Sequence, residues 1–137
     1  MIVDTSALVA ISIGEDGWRS LRLAIASSRC VVPATALTEL QLVTQARKDR
    51  VSVAARELIA ELLATGLEIV AFEQRHAEIT AIARERFGKG NGRGGMLNFG
   101  DLMVYAIAKD RGEPILCTGN DFATTDLVLH PASRLEP

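Results

Sequence analysis

At 137 residues the chain has room for one domain around one core, and a core of that size needs no disulfide or zinc staple. A net charge of −2 and an isoelectric point near 5.7 exclude a globally basic nucleic-acid binder, so any phosphate contact must come from a local basic patch or through metal ions. No basic segment precedes the apolar opening and no apolar run approaches ~20 residues, which excludes a secretory signal and a membrane span and predicts a cytoplasmic protein. Hydrophobic residues make up 48% of the chain and mean hydropathy is +0.19, apolar enough to predict that a partner covers part of the surface.

In chain order, Ile2-Val3 reads as a first buried strand, followed by a short helix around 6–12 and a longer one at about 17–28. Cys30-Val31-Val32 forms the second strand, and helical periodicity resumes at about 36–49 and 52–65. Ile69-Val70-Ala71-Phe72 is the third strand, 74–87 a helix, 100–111 another, and Ile115-Leu116-Cys117 the fourth strand. A fifth short strand is expected near Leu127-Val128-Leu129. Strand–helix alternation of this kind predicts a three-layer α/β/α sandwich around a central parallel sheet, as a single domain over 1–137. The stretch from Arg84 to Gly95 breaks the pattern. It holds five of the eleven glycines with four cations (Arg84, Arg86, Lys89, Arg93) and one acid, and reads as a mobile loop.

Cys30 and Cys117 lie inside apolar runs and read as buried free thiols. Neither a CxxC nor a histidine pair at metal spacing occurs, and the isolated His76 and His130 carry no assigned role.

Ligands of a parallel α/β sheet bind beyond the carboxyl ends of its strands. Four acids fall there. Asp4 follows the first strand, Glu39 sits in the first two turns of the helix after the second, Asp101 opens the helix starting at Asn98, and Asp121 follows the fourth strand. Each has an ordinary structural explanation by itself, as a helix cap, a first-turn acid or a solvated helix residue. Together, four carboxylates on one rim repel unless a cation intervenes. A hard divalent ion such as Mg²⁺ or Mn²⁺ suits such ligands and leaves open positions for a phosphate oxygen. Phosphodiester hydrolysis fits this constellation better than acyl transfer, since the sequence has no Gly-x-Ser-x-Gly elbow, Cys–His pair or Walker loop.

The opening Met1-Ile2-Val3-Asp4-Thr5-Ser6-Ala7-Leu8-Val9-Ala10 resembles that of PIN-domain proteins, in particular the VapC-type toxins of toxin–antitoxin pairs. Leu97-Asn98-Phe99-Gly100-Asp101 followed by Tyr105-Ala106-Ile107-Ala108 resembles the family's third motif, and Gly119-Asn120-Asp121-Phe122 with Thr125-Asp126 the fourth, while Glu39 stands at the place of the second acid. The resemblance implies that Asp4, Glu39, Asp101 and Asp121 form a catalytic acidic cluster, with Asp4 and Asp101 as direct metal ligands. It also implies that Ser6, Asn98 and Thr118 support the phosphate or metal waters and that Asp126 is a fifth acid. The implied activity is Mg²⁺- or Mn²⁺-dependent endonucleolytic cleavage of RNA, held in check by a cognate antitoxin, in a protein that forms homodimers. Arg84, Arg86, Lys89 and Arg93 are the candidate RNA-binding cations. Trp18 with Ile11, Ile13, Leu21 and Ile25 forms an apolar stretch, mostly core, part of which the resemblance assigns to an antitoxin helix.

Competing readings are a haloacid-dehalogenase-type phosphatase, a flap-cleaving DNA nuclease, and a non-catalytic RNA- or partner-binding module of the same fold. The first needs a second aspartate two residues after Asp4, where this chain has Ser6; the second usually carries more acids. Metal binding separates the third from the enzymes.

Overall fold

The structure is a computed structural model that describes residues 1–46 and 49–136. Strand β1 (Ile2–Val3) is short because its apolar pair is at once followed by Asp4, whose side chain caps the next helix. Helix α1 (Thr5–Ile13) stops at Gly14, which adopts the left-handed conformation that ends helices at little cost. Then come α2 (Trp18–Ala26), β2 (Val31–Pro33), α3 (Ala34–Gln45) and α4 (Asp49–Ala64). The chain continues through β3 (Glu68–Val70), α5 (Gln74–Phe87), α6 (Phe99–Arg111) and β4 (Ile115–Leu116). The sequence-predicted end of α3 near 49 runs across residues 47 and 48, which lie outside the described residues, as does Pro137.

All strand pairings are parallel, in the order β3-β2-β1-β4. The chain steps from β1 outward to β2 and β3, then returns across the sheet through α5 and α6 to β4. Right-handed crossovers therefore place α1–α4 over one face and α5–α6 over the other. The packing agrees, with α1 against α2, α3 and α4, and α5 against α6. This is the three-layer α/β/α arrangement expected. The change of direction makes the boundary between β1 and β4 the topological switch point, where the loops diverge and leave a crevice.

Ile2, Val3, Val31, Val32, Ile115 and Leu116 are fully buried between the helix layers, which is why these strands read as continuous apolar runs. Leu8, Leu21 and Leu40 close on one face, and Val104 and Ile107 on the other. The expected fifth strand is a single parallel bridge, Ile115 to Leu129, followed by a second from Thr118 to Arg134. The C-terminal segment thus lies along the free edge of β4. Among the described residues no helix is long and apolar enough to cross a membrane.

The two sequence expectations that overlap at residues 84–87, a helix over 74–87 and a loop from Arg84, are decided for the helix. Helix α5 continues to Phe87, whose ring packs on Tyr105 at 5.6 Å, so Arg84 and Arg86 sit on helix rather than loop. The loop from Gly88 to Asn98 is not open. Its base is closed by Lys89 N–H to Leu97 O (2.8 Å) and Leu97 N–H to Phe87 O (2.9 Å), and Asn91 Oδ1 accepts from the Arg93 and Gly95 amides inside it.

Candidate active site

Asp4 leaves β1 at the switch point with an extended backbone and 4% of its surface exposed. Its Oδ2 accepts from the Ser6 amide (2.9 Å) and the Ser6 hydroxyl (2.5 Å), and the same hydroxyl oxygen accepts the Thr118 amide at 3.0 Å. Ser6 therefore ties the acid after β1 to the backbone after β4. Burial is the main force pushing the Asp4 carboxyl up to about 6; the Ser6 hydrogen bonds oppose it and the Glu39 charge adds to it.

Asp101 lies in the first turn of α6 in a complete capping box. Its amide donates to Asn98 Oδ1 (3.0 Å), and its Oδ2 accepts from the Asn98 amide (2.8 Å). Burial raises its carboxyl to about 7, against the Asn98 hydrogen bond and reinforced by the charges of Asp4, Asp121 and Glu39. Glu39 reaches across from α3, its Oε2 accepting from the Thr5 hydroxyl at 2.8 Å. Asp121 stands half-buried in the turn after β4, anchored by its buried neighbour Phe122. The buried Cys117 thiol, at the end of β4, is pushed up to about 12, chiefly by burial and next by the Asp4 charge, with Asp121 and Asp101 adding to it and the Ser133 hydrogen bond opposing it. Four acids from four segments thus share one electrostatic field.

Asp126 does not join them. Its carboxylate accepts from the Tyr105 hydroxyl (2.6 Å) and from Lys109 Nζ (2.9 Å), and Arg86 lies 3.7 Å away. The expected fifth acid is instead a strut between the C-terminal segment and α6. Asn98 acts through the capping box and Thr118 through its backbone amide. Of the four candidate RNA-binding cations, Arg86 is engaged by Asp126 and lies over the Phe87 ring at 4.9 Å. Arg84 and Lys89 line a cavity beside α6, and Arg93 is exposed in the loop. Three residues of the site escape a reading by charge alone: Thr5, which holds Glu39; Gly100, which faces it; and Tyr105, which holds Asp126.

The donor set is one of hard oxygens, and Thr35 Oγ1, one helical turn before Glu39, is buried without a hydrogen-bond partner. These features fit a divalent cation with water-filled positions. Among the described residues no three of the acids, histidines or cysteines already close on a common point, so such an ion would be held by one or two carboxylates and complete its shell with water.

The PIN-domain family model matches residues 1–127. Ribonuclease VapC42 of Mycobacterium tuberculosis is 39% identical over 129 residues, covering 93% of this chain and 96% of that protein. Among solved structures, that of Mycobacterium tuberculosis VapC20, described as a sarcin-ricin loop cleaving toxin, superposes with a TM-score of 0.70 at 20% identity. It covers 93% of this chain and 95% of the other. A toxin–antitoxin complex from Klebsiella pneumoniae gives a TM-score of 0.69 at 16% identity, over 95% and 96% of the two chains. PIN-domain VapC ribonucleases are generally dependent on a divalent metal. With the family model spanning most of its length and VapC42 alike from end to end, the chain belongs to the PIN-domain family and, within it, to the VapC ribonucleases.

Proposed function

We propose that this protein is the toxin of a toxin–antitoxin pair, an endoribonuclease that hydrolyses RNA phosphodiester bonds with Mg²⁺ or Mn²⁺ at Asp4, Glu39, Asp101 and Asp121. One observation carries the reading: two buried carboxylates, Asp4 and Asp101, lie with Glu39 and Asp121 at one edge of the sheet, each acid supplied by a different segment and Glu39 held between Thr5 and Gly100. Such crowding is destabilising in the free protein and becomes favourable once a cation is shared. A divalent ion bound there supplies a water activated for attack and positive charge against the phosphoryl oxygens.

The chain's own residues set the stage for that ion. Asp4 and Asp101 are the direct ligands, each held by a cap that fixes its rotamer before metal or substrate arrives. Ser6 passes the Thr118 amide's orientation to Asp4. Glu39, fixed by Thr5, and Asp121 complete the negative wall and orient water towards the phosphate. The chain works as a single nuclease domain in the cytoplasm, as a homodimer. A cognate antitoxin covers the apolar surface around α2, where Trp18 and Ile13 remain partly exposed while Ile11, Leu21 and Ile25 are core.

A non-catalytic module of the same fold has one observation in its favour, that Asp4 and Asp101 both cap helices. Capping, however, requires neither Glu39 nor Asp121 nearby.

The test pairs two assays. Purified protein is incubated with structured RNA in Mg²⁺, Mn²⁺ or EDTA, and the gene is expressed alone or with its partner. Metal-dependent cleavage together with growth arrest relieved by the partner is expected. Folded, abundant protein that neither cleaves RNA nor slows growth overturns the reading.

A further inference from the structure

We infer that the groove between α5, α6 and the Gly88–Asn98 loop is a nucleotide subsite: an unstacked base beside the scissile phosphate lies on the Phe99 ring, and neighbouring phosphates meet Arg84 and Lys89. The inference rests on the RNA-cleaving reading above and adds to it where the strand enters.

Phe99 is the first residue of α6 and is 80% exposed, more than any other large apolar side chain among the described residues. A phenyl ring left in water forgoes the burial that normally positions phenylalanine, so a ring this exposed invites an occupant. Its location is specific. Two residues further on is the buried Asp101, and Gly100 between them faces the Glu39 carboxylate. Phe99 therefore opens the same helical turn that carries Asp101 and walls the Glu39 slot, and the cavity beside its ring shares Asn98, the capping partner of Asp101.

The cavity, of about 530 Å³, is walled by Phe72, Leu102 and Met103 as well as Phe99. That lies within the ~300–1,000 Å³ range of small-molecule pockets, roomy enough for one nucleoside. Its only charged lining residues are Arg84 and Lys89. Neither makes an ion pair among the described residues, as is also true of Arg19, Arg56, Arg93 and Arg134, but only these two lie beside an exposed aromatic ring in a common cavity. Arg84 lies along the α5 terminus over Gly88, where any added Cβ would collide with its Cδ at 2.5 Å.

An exposed aromatic face with two uncompensated cations is the pairing that grips single-stranded nucleic acid, by base stacking and phosphate contact. An apolar protein segment in the same groove would cover those cations without neutralising them, at a cost in desolvation. The acids next door repel phosphate, so cations on one flank are what admit the strand. Arg86, engaged by Asp126, and Arg93, out in the loop, do not line the groove.

The test measures binding of a labelled single-stranded oligoribonucleotide to the full chain in EDTA by fluorescence anisotropy, across a salt series. Base–aromatic stacking is worth about 1–3 kcal/mol per base, so Phe99→Ala should weaken binding about 5- to 150-fold. The logarithmic salt slope should stay unchanged. Phe99→Trp should restore affinity. Arg84→Ala and Lys89→Ala should each make the slope shallower by about 0.7, the signature of one lost phosphate contact on a single strand. Because Phe99 is exposed, all variants should melt with the wild type.

Undiminished RNA affinity in folded Phe99→Ala overturns the inference. So does a Phe99→Ala variant whose sedimenting mass changes while its RNA affinity does not, for the groove then belongs to a protein contact. Wild-type cleavage in divalent metal, measured alongside, separates the two levels. If it is present while Phe99→Ala binds normally, only the subsite falls; if wild type neither binds nor cleaves RNA, the nuclease reading falls with it.

Discussion

Gly100 and Glu39 approach so closely that a methyl group on Gly100 would sit 2.7 Å from Glu39 Oε2. The helix α6 backbone thus forms one wall of the slot that receives the Glu39 carboxylate, and the Thr5 hydroxyl forms another. Gly100→Ala separates folding from function. Alanine favours helix over glycine by up to ~1 kcal/mol, and the group it displaces is the end of a flexible side chain, so the melting temperature should hold or rise. The displaced carboxylate leaves the acid cluster, and RNA cleavage should fall at least ~10-fold. Thermal melting and cleavage rates on one preparation check this; a variant that is both less stable and fully active would show that the close approach is mere packing.

Tyr105 and Asp126 brace the same cluster from behind. Tyr105 is one helical turn after Asp101, and Asp126 is five residues after Asp121, so their 2.6 Å hydrogen bond links the two segments that carry these acids. That bond, with Lys109, holds the Asp126 carboxyl below its ordinary range. Tyr105→Phe removes the hydroxyl and keeps the ring against Phe87. We expect a stability loss of about 1–2 kcal/mol, since the acceptor is charged but still has Lys109, and weaker metal binding through a looser Asp121. Lys109→Ala, which removes only a surface contact, should leave metal affinity alone. Calorimetric titration of both variants with Mn²⁺ decides; equal affinities would make Asp126 a stability strut with no reach into the site.

Asp126 also marks where reading along the sequence stops being sufficient. Asp4 and Asp101 are legible because the signals are local: an apolar pair ending in an acid, and an Asn-x-x-Asp start to an amphipathic helix. The strand–helix alternation likewise fixes the parallel sheet, and the sheet fixes which loops meet. Asp126 looks like another acid of the same loop, and only its tertiary partners on α5 and α6 show that it faces away. The same holds for Arg86, which the helical period already places on α5 but whose engagement by Asp126 only the tertiary structure shows. Thr5 and Gly100 leave no signal by residue type, because their roles come from a contact between α1, α3 and α6 that spacing does not encode. The fifth strand shrinks to isolated bridges because it lies on the free edge of β4, where no further strand completes its ladder.

The raised carboxyls predict an unusual pH dependence for the metal-free protein. Asp4 at about 6 and Asp101 at about 7, against 3.8 for an ordinary aspartate, mean that the folded chain holds protons more tightly than the unfolded one. Stability in EDTA should therefore fall as pH rises from near 4 to near 7, and level off above. Saturating divalent metal stabilises the ionised carboxylates and should cancel or reverse that slope. Denaturant midpoints at pH 5 and pH 7.5, with EDTA or Mn²⁺, test both signs. An EDTA midpoint that rises with pH over this interval would mean the acids are neither buried nor crowded as described.

Asp101→Asn sets the two roles of that residue against each other. As a cap, Asp101 uses one oxygen to accept the Asn98 amide and its own amide to reach Asn98 Oδ1. Asparagine can do both, so the capping loss should stay under ~1 kcal/mol. As a member of the cluster, Asp101 carries a charge that burial opposes and that Asp4, Asp121 and Glu39 repel. Removing it relieves that conflict, so the metal-free variant should match or exceed wild type in stability. The gain should grow between pH ~4 and ~7, the interval over which the wild-type carboxyl titrates differently in the folded and unfolded chains. Activity should move the other way. Losing one charged group from an electrostatic site costs on the order of 100-fold or more in rate, and metal affinity should weaken with it. Melting in EDTA at pH 7.5, Mn²⁺ titration and RNA cleavage are read on the same variant. Retained cleavage with a lowered melting temperature would reduce Asp101 to a helix cap, and the catalytic assignment of the cluster would have to be given up.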